Sequence, residues 1–186
     1  KKYKIEKLTL PHPGHADFAG ALKYEEDDIR NILERSSARE TAMQVALGGF
    51  CKLFLNEFKI KVLSHTISVG NVFNQNDYSI EEVEKIYNDE VLRCVNKTAE
   101  KKMIALINKT KKNGDTVGGI SEIIVSNIIP GLGTHIQYCD KIDSKIAASL
   151  FSMQSIKGVE FGNAFELVKK TGKNYHDEFD LSGNEI

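Results

Sequence analysis

Apolar residues change period along this chain, and the change restricts it to folds that mix helices with strands. Ala42, Val45, Ala46, Gly49, Phe50, Leu53 and Phe54 recur at helical spacing. Directly afterwards Leu63, His65, Ile67 and Val69 share one face of an alternating run from Ile60 to Val69, which predicts a strand. Helical spacing returns over residues 79–92 and 95–112, and again at Ile142, Ile146, Leu150 and Met153. Strands are predicted over Val117–Ile129 and Ile156–Phe165, with an edge strand over residues 1–9. Polar or glycine-rich loops separate these elements at residues 10–17, 70–77, 113–115 and 130–133. Gly48-Gly49 falls inside the first long helix, where each glycine costs about 1 kcal/mol relative to alanine. Close packing is expected there, against another helix or against a cofactor or subunit.

Composition narrows the function classes. The 186 residues suffice for one domain with a real core; 41% are hydrophobic and 27% charged, as in soluble globular proteins. A net charge of −1 supplies no basic field for nucleic acid or a membrane surface, so neither is expected as a partner. Cys51, Cys94 and Cys139 are widely spaced and form no metal-binding pattern. They point to free thiols in a reducing, cytoplasmic compartment, with no metal site. The sequons at Asn96 and Asn108 fall on a predicted helix and read as chance. Neither a signal peptide nor a membrane span is visible. The chain lacks an initiator methionine and ends in a polar stretch from Asn174, so both ends read as cut.

Charge placement is more informative than charge total. Three of the four arginines, Arg30, Arg35 and Arg39, lie close together; apart from Arg93, lysine is the cation elsewhere. Guanidinium forms paired, directional hydrogen bonds to phosphate or carboxylate that lysine cannot copy. Ser36 and Ser37 precede a helix start, and Glu40 stands three residues beyond Ser37, the spacing of a capping box. Arg35 and Arg39 share a face if the helix begins by Arg35. The alternative is a solvated face on which they pair with Glu34 and Glu40. Upstream, His15 lies in a loop shaped by Pro11, Pro13 and Gly14, where an imidazole can exchange protons near neutrality. The structural alternative is a histidine bonded to Asp17 or to the loop backbone. His65, on the inward face of its strand, reads as a core histidine.

An ordered set of segments carries a resemblance. Pro13-Gly14-His15-Ala16-Asp17 is followed by Asp28-Ile29-Arg30-Asn31 and by the run Glu34 to Ala42 (ERSSARETA). Further on stand Gly114 to Gly119 (GDTVGG), Pro130 to Gly133 (PGLG) and Ser152 to Gly162 (SMQSIKGVEFG). Together they resemble the chorismate synthase family over most of residues 8–166. The resemblance implies an α+β fold in which helices are sandwiched between antiparallel sheets. This chain would supply only part of it: residues 1–170 as the central part of one domain, residues 171–186 as a polar, flexible tail.

The same resemblance implies a lyase of the shikimate pathway. Such an enzyme eliminates phosphate in trans from 5-enolpyruvylshikimate 3-phosphate to give chorismate. It needs reduced FMN, with NADPH involved only if the protein reduces its own flavin, and it assembles as a homotetramer. His15 matches the family's catalytic histidine beside the flavin. Arg35, Ser36, Ser37, Gln154 and Ser155 match FMN-binding positions, and Arg39 matches a substrate-binding arginine. His12 stands where the family reads a substrate-binding arginine. The family's N-terminal and C-terminal catalytic segments have no counterpart here, so the expectation is an internal fragment that is inactive in isolation. The alternative reading is a non-catalytic fragment that binds FMN or phosphate.

Overall fold

The computed structural model describes residues 6–74, 78–88 and 91–176. They divide into two compact units, one running to Val45 and resuming at Gly131, the other Ala46–Pro130. Helices accompany a three-stranded antiparallel sheet, as an α+β chain requires.

The first unit opens with an extended segment instead of the edge strand expected over residues 1–9, of which residues 1–5 lie outside the described residues. Leu8 donates its amide to Asp28 Oδ1, and its carbonyl accepts from Ile29 N. Its backbone is therefore used at the start of a helix and cannot join a sheet. Helix α1 (Asp17–Tyr24) and helix α2 (Ile29–Ser36) follow, neither of them evident from apolar period. Asp28 caps α2 by accepting from Arg30 N. A Cβ on Gly20 would stand 2.4 Å from Ile32, so glycine lets α1 approach α2 closely. Arg30 donates to the Glu6 carbonyl and serves the fold.

Ser37 is extended and caps a short 3-10 turn, Ala38–Glu40, which leads into helix α3 (Thr41–Glu57). Helix α3 crosses the division between the units. Its large apolar side chains, Met43, Val45, Leu47, Phe50, Leu53 and Phe54, are all exposed. Among the described residues nothing lies within 4 Å of a Cβ built at Gly48 or Gly49, so no other helix of this chain supplies the close packing expected there.

In the second unit strand β1 (Lys61–Val69) turns through Gly70 into strand β2 (Val72–Phe73). Helix α4 (Ile80–Lys85) starts with a full capping box between Ser79 and Glu82. It ends well before residue 92; residues 75–77 and 89–90 lie outside the described residues. Helix stops early because the backbone at Leu92 and Arg93 docks on β1. Their carbonyls accept from Thr66 Oγ1 at 2.6 Å and Thr66 N at 3.0 Å. Asn96 caps helix α5 (Lys97–Lys112), whose last turn carries Lys109, Lys111 and Lys112, the charge a helix C-terminus favours. Strand β3 (Gly119–Ser126) completes the sheet in the order β2-β1-β3.

Antiparallel register places Leu63 opposite Ile124 and His65 opposite Glu122, with an irregularity between Thr66 and Ser68. A side chain on Gly119 would meet the Ser68 carbonyl oxygen at 2.5 Å, which explains glycine where the bulge brings two backbones together. Leu63, His65 and Val83 are buried, whereas Ile123 and Val125 on the opposite face are exposed. The core gathers Val69, Cys94, Ala99 and Met103, flanked by Leu92, Leu106, Ile107 and Val117.

Back in the first unit, helix α6 (Ile142–Phe151) follows the Pro130–Gly133 loop, and a single helical turn α7 (Ala164–Leu167) lies beyond it. No strand forms over Ile156–Phe165. Gly162 adopts φ +58°, and the Glu160 carboxylate accepts from Phe165 N at 2.7 Å, turning the chain back on itself. Residues 177–186 of the expected tail lie outside the described residues; residues 172–174 form a 3-10 turn.

Candidate active site

All candidate residues belong to the first unit, in two groups. The first is the loop ahead of α1. Pro13 and Gly14, the latter at φ +75°, are the central residues of a turn that His15 N closes on the His12 carbonyl. Asp17, the first residue of α1, is fully buried and organises the loop. Its Oδ2 accepts from His12 N at 3.0 Å and lies 2.8 Å from His12 Nδ1; its Oδ1 accepts from Phe18 N at 2.8 Å. The His15 ring sits edge-on to that of His12, 6.0 Å between centres. His15 Nδ1 is buried, 3.9 Å from Asp17 Oδ1, and has no hydrogen-bond partner among the described residues.

Burial alone would push the Asp17 carboxyl up. The hydrogen bonds from the His12 backbone and ring and from Phe18, with His15 nearby, outweigh it and hold the group below the ordinary carboxylate value. A carboxylate whose folded value is depressed stabilises the fold above its unfolded value, and that contribution is lost as pH falls through the folded value. Wild-type protein should therefore lose stability below about pH 4 more steeply than Asp17→Asn, which has no carboxyl to protonate. Urea unfolding at stepped acidic pH checks this; parallel acid limbs in the two proteins would contradict it.

The second group surrounds the junction of α2 and α3. Arg35 lies in the last turn of α2 and Arg39 in the following 3-10 turn, with extended Ser37 between them. The two arginines thus stand on separate segments, not on one helical face. Arg39 pairs with Glu34, as the solvated-face alternative anticipated, but both partners are largely exposed. Arg35 is exposed and its guanidinium has no hydrogen bond or ion pair among the described residues. Ser36 Oγ donates back to the Ile32 carbonyl at 3.0 Å, so its proton is committed. Ser37 Oγ accepts from Arg39 N at 3.3 Å and keeps its own proton available. Ser37 rather than Ser36 is the cap; the reciprocal Glu40 contact of a capping box is not formed.

The chain beyond α6 returns to this junction. Thr41 Oγ1 lies 3.4 Å from Gln154 Oε1, which brings the Ser152–Ser155 segment beside the start of α3. Ser155 holds φ +72°, a left-handed conformation that costs a non-glycine residue about 1 kcal/mol. The separation of 113 positions between Thr41 and Gln154 hid this pairing from local pattern. Asp17 was visible only as a possible partner of His15. A hollow of about 450 Å³ lined by Gly131–His135 and Lys141–Asp143 contains none of the candidate residues. Among the described residues no cluster of His, Cys, Asp or Glu could hold a metal ion, and no helix is long and apolar enough to cross a membrane.

At the junction of α2 and α3, a free guanidinium, a second arginine in an exposed pair and an available serine proton make a donor set for an anionic ligand rich in acceptors. The chorismate synthase family model matches residues 1–185. The chain belongs to the chorismate synthase family. A relative from Geobacillus sp. (strain WCH70), named chorismate synthase, is 47% identical over 174 residues, covering 92% of this chain and 45% of the relative. The chorismate synthase of Bacillus subtilis (strain 168) is 45% identical over 180 residues, 96% of this chain and 46% of that protein. A solved structure described as "Crystal Structure of Chorismate Synthase" superposes with a TM-score of 0.81 at 40% identity, covering 89% of this chain and 52% of that one. The chain spans about half the length of the curated chorismate synthases it matches.

Proposed function

We propose that this protein works as a chorismate synthase, a lyase of the shikimate pathway that eliminates phosphate in trans from 5-enolpyruvylshikimate 3-phosphate. The observation that carries the reading is the match over residues 1–185, within which the anion-binding donor set falls in a single compact unit. The residues fit reduced FMN, which when bound supplies electron density to the elimination and takes part in proton removal. Arg35 is free to grip an anion, the flavin phosphate, with a flat fork of donors. Ser37 can add its proton, and Ser36, whose proton is committed to Ile32, can only accept. Gln154 and Ser155 complete the FMN contacts from the segment beyond α6. Arg39 binds the substrate, releasing Glu34 to do so. His12 adds a second substrate contact, and His15 holds a proton at the flavin. Charged donors placed before reaction stabilise the negative charge that builds on the departing phosphate.

The exposed apolar side chains of α3 and the bare face at Ile123 and Val125 support a larger sandwich of helices between antiparallel sheets, assembled as a homotetramer. Exposed apolar surface of this kind calls for cover. Residues 1–170 then read as the central part of one such domain. One feature favours a second reading, FMN or phosphate binding without turnover: His12 stands where the resemblance implies an always-charged arginine. The deciding experiment is anaerobic assay of phosphate release from 5-enolpyruvylshikimate 3-phosphate with reduced FMN. Release is expected. Ligand binding without release selects the second reading, and absence of both defeats the two together.

A further inference from the structure

We infer that Asp17 is a positioning residue that locks His12 in its Nδ1–H form, so that anion binding at His12 requires the doubly protonated ring and weakens as pH rises. The inference rests on the proposed reading only in placing an anionic ligand at His12; the lock itself stands on geometry. Asp17 is fully buried at the head of α1, and three donors converge on it: His12 N, His12 Nδ1 and Phe18 N. An ionised carboxylate can only accept hydrogen bonds, so the ring nitrogen 2.8 Å from it must carry a proton. The downward shift of the Asp17 carboxyl keeps that acceptor ionised through the neutral range.

The consequence lies at the other nitrogen. A neutral imidazole has one proton, and here Nδ1 holds it. Nε2 is then a bare acceptor, which repels a phosphate or carboxylate oxygen. Only the imidazolium offers an Nε2–H donor, and it adds the positive charge that an anion favours. The side chain of His12 is 57% exposed, so the ring is open to a ligand while its backbone and Nδ1 are held. Asp17 and His15 are the titratable groups in contact with His12 among the described residues. Both belong to the same loop and helix start, and the His15 ring centre lies 6.0 Å from that of His12. An arginine in place of His12 would hold its charge and its donors at any physiological pH. Histidine makes the same contact conditional.

Ring nitrogen NMR of the intact protein reads the tautomer directly, with His12 and His15 signals assigned through His15→Asn. At pH above the imidazole range, neutral His12 is expected as Nδ1–H, and in Asp17→Ala, which removes the acceptor, that preference should be lost. Wild-type His12 carrying its proton on Nε2 would overturn the lock, and this measurement needs no variant of Asp17 to fold. Sulfate, divalent throughout the range, is the probe for binding. Its affinity should fall about tenfold or more from below to above the imidazole range in wild type, as expected for loss of a charged hydrogen bond, and by less than about twofold in His12→Arg. Equal pH dependence in both proteins overturns the conditional contact. Failure of sulfate and of 5-enolpyruvylshikimate 3-phosphate to bind either protein overturns the binding reading, whereas the tautomer result judges Asp17 independently.

Discussion

Arg39→Ala should weaken binding of 5-enolpyruvylshikimate 3-phosphate by about 10- to 100-fold, the loss expected for a charged, directional hydrogen-bonded contact. FMN affinity should change by less than about threefold, because Arg35, Ser37, Gln154 and Ser155 remain. The side chain of Arg39 is 72% exposed and its partner Glu34 is 49% exposed, so their pair contributes about 1 kcal/mol at most to stability. Loss of affinity should therefore appear without unfolding. Titration calorimetry with each ligand separates the two effects, and equal loss of substrate and flavin would contradict the division of the arginines between them.

Met103→Ala should destabilise the second unit by about 2–5 kcal/mol, the range for truncating a buried methionine to alanine. Met103 is wholly inaccessible to solvent, between Val69 of β1 and Cys94, with Leu106, Ile107 and Val117 around it. It joins α5 to the sheet through Val69 in the core of this unit. Urea unfolding of wild type and variant gives the difference; a change below about 1 kcal/mol would mean that the site collapses without cost. Met103→Leu, which nearly conserves volume, should cost less than about 1.5 kcal/mol and serves as the control.

Much of the second unit was legible in the chain. Alternation at Leu63, His65, Ile67 and Val69 predicted β1, although the irregularity between Thr66 and Ser68 leaves Ile67 only half-buried, and helical period predicted α5; each element buries one face. His65 was expected in the core, and it is buried against Tyr78 with Nε2 2.8 Å from Glu122 Oε2. Burial and the Glu122 carboxylate both push the Tyr78 hydroxyl upward, so it stays a proton donor to that oxygen. Helices α1 and α2 were missed because their stability comes from each other: Gly20 against Ile32 and the Asp28 cap are contacts, not periods. Conversely, Ile156–Phe165 had strand-like composition but no partner strand among the described residues, and backbone groups left unpaired do not hold a strand.

The site divides in the same way. Residue types and their order alone determined the family and the inventory of donors, since a guanidinium, a hydroxyl or an imidazole has the same capacity wherever it lies. Which of those capacities remain available was decided only by tertiary structure. Ser36 turns its proton into α2 while Ser37 keeps its own, and Arg39 is paired while Arg35 is free. His12 is held at one nitrogen by a carboxylate buried at the head of α1. A hydrogen bond uses up a donor only when geometry brings an acceptor within reach, and that reach is set by how the chain packs, not by what it contains.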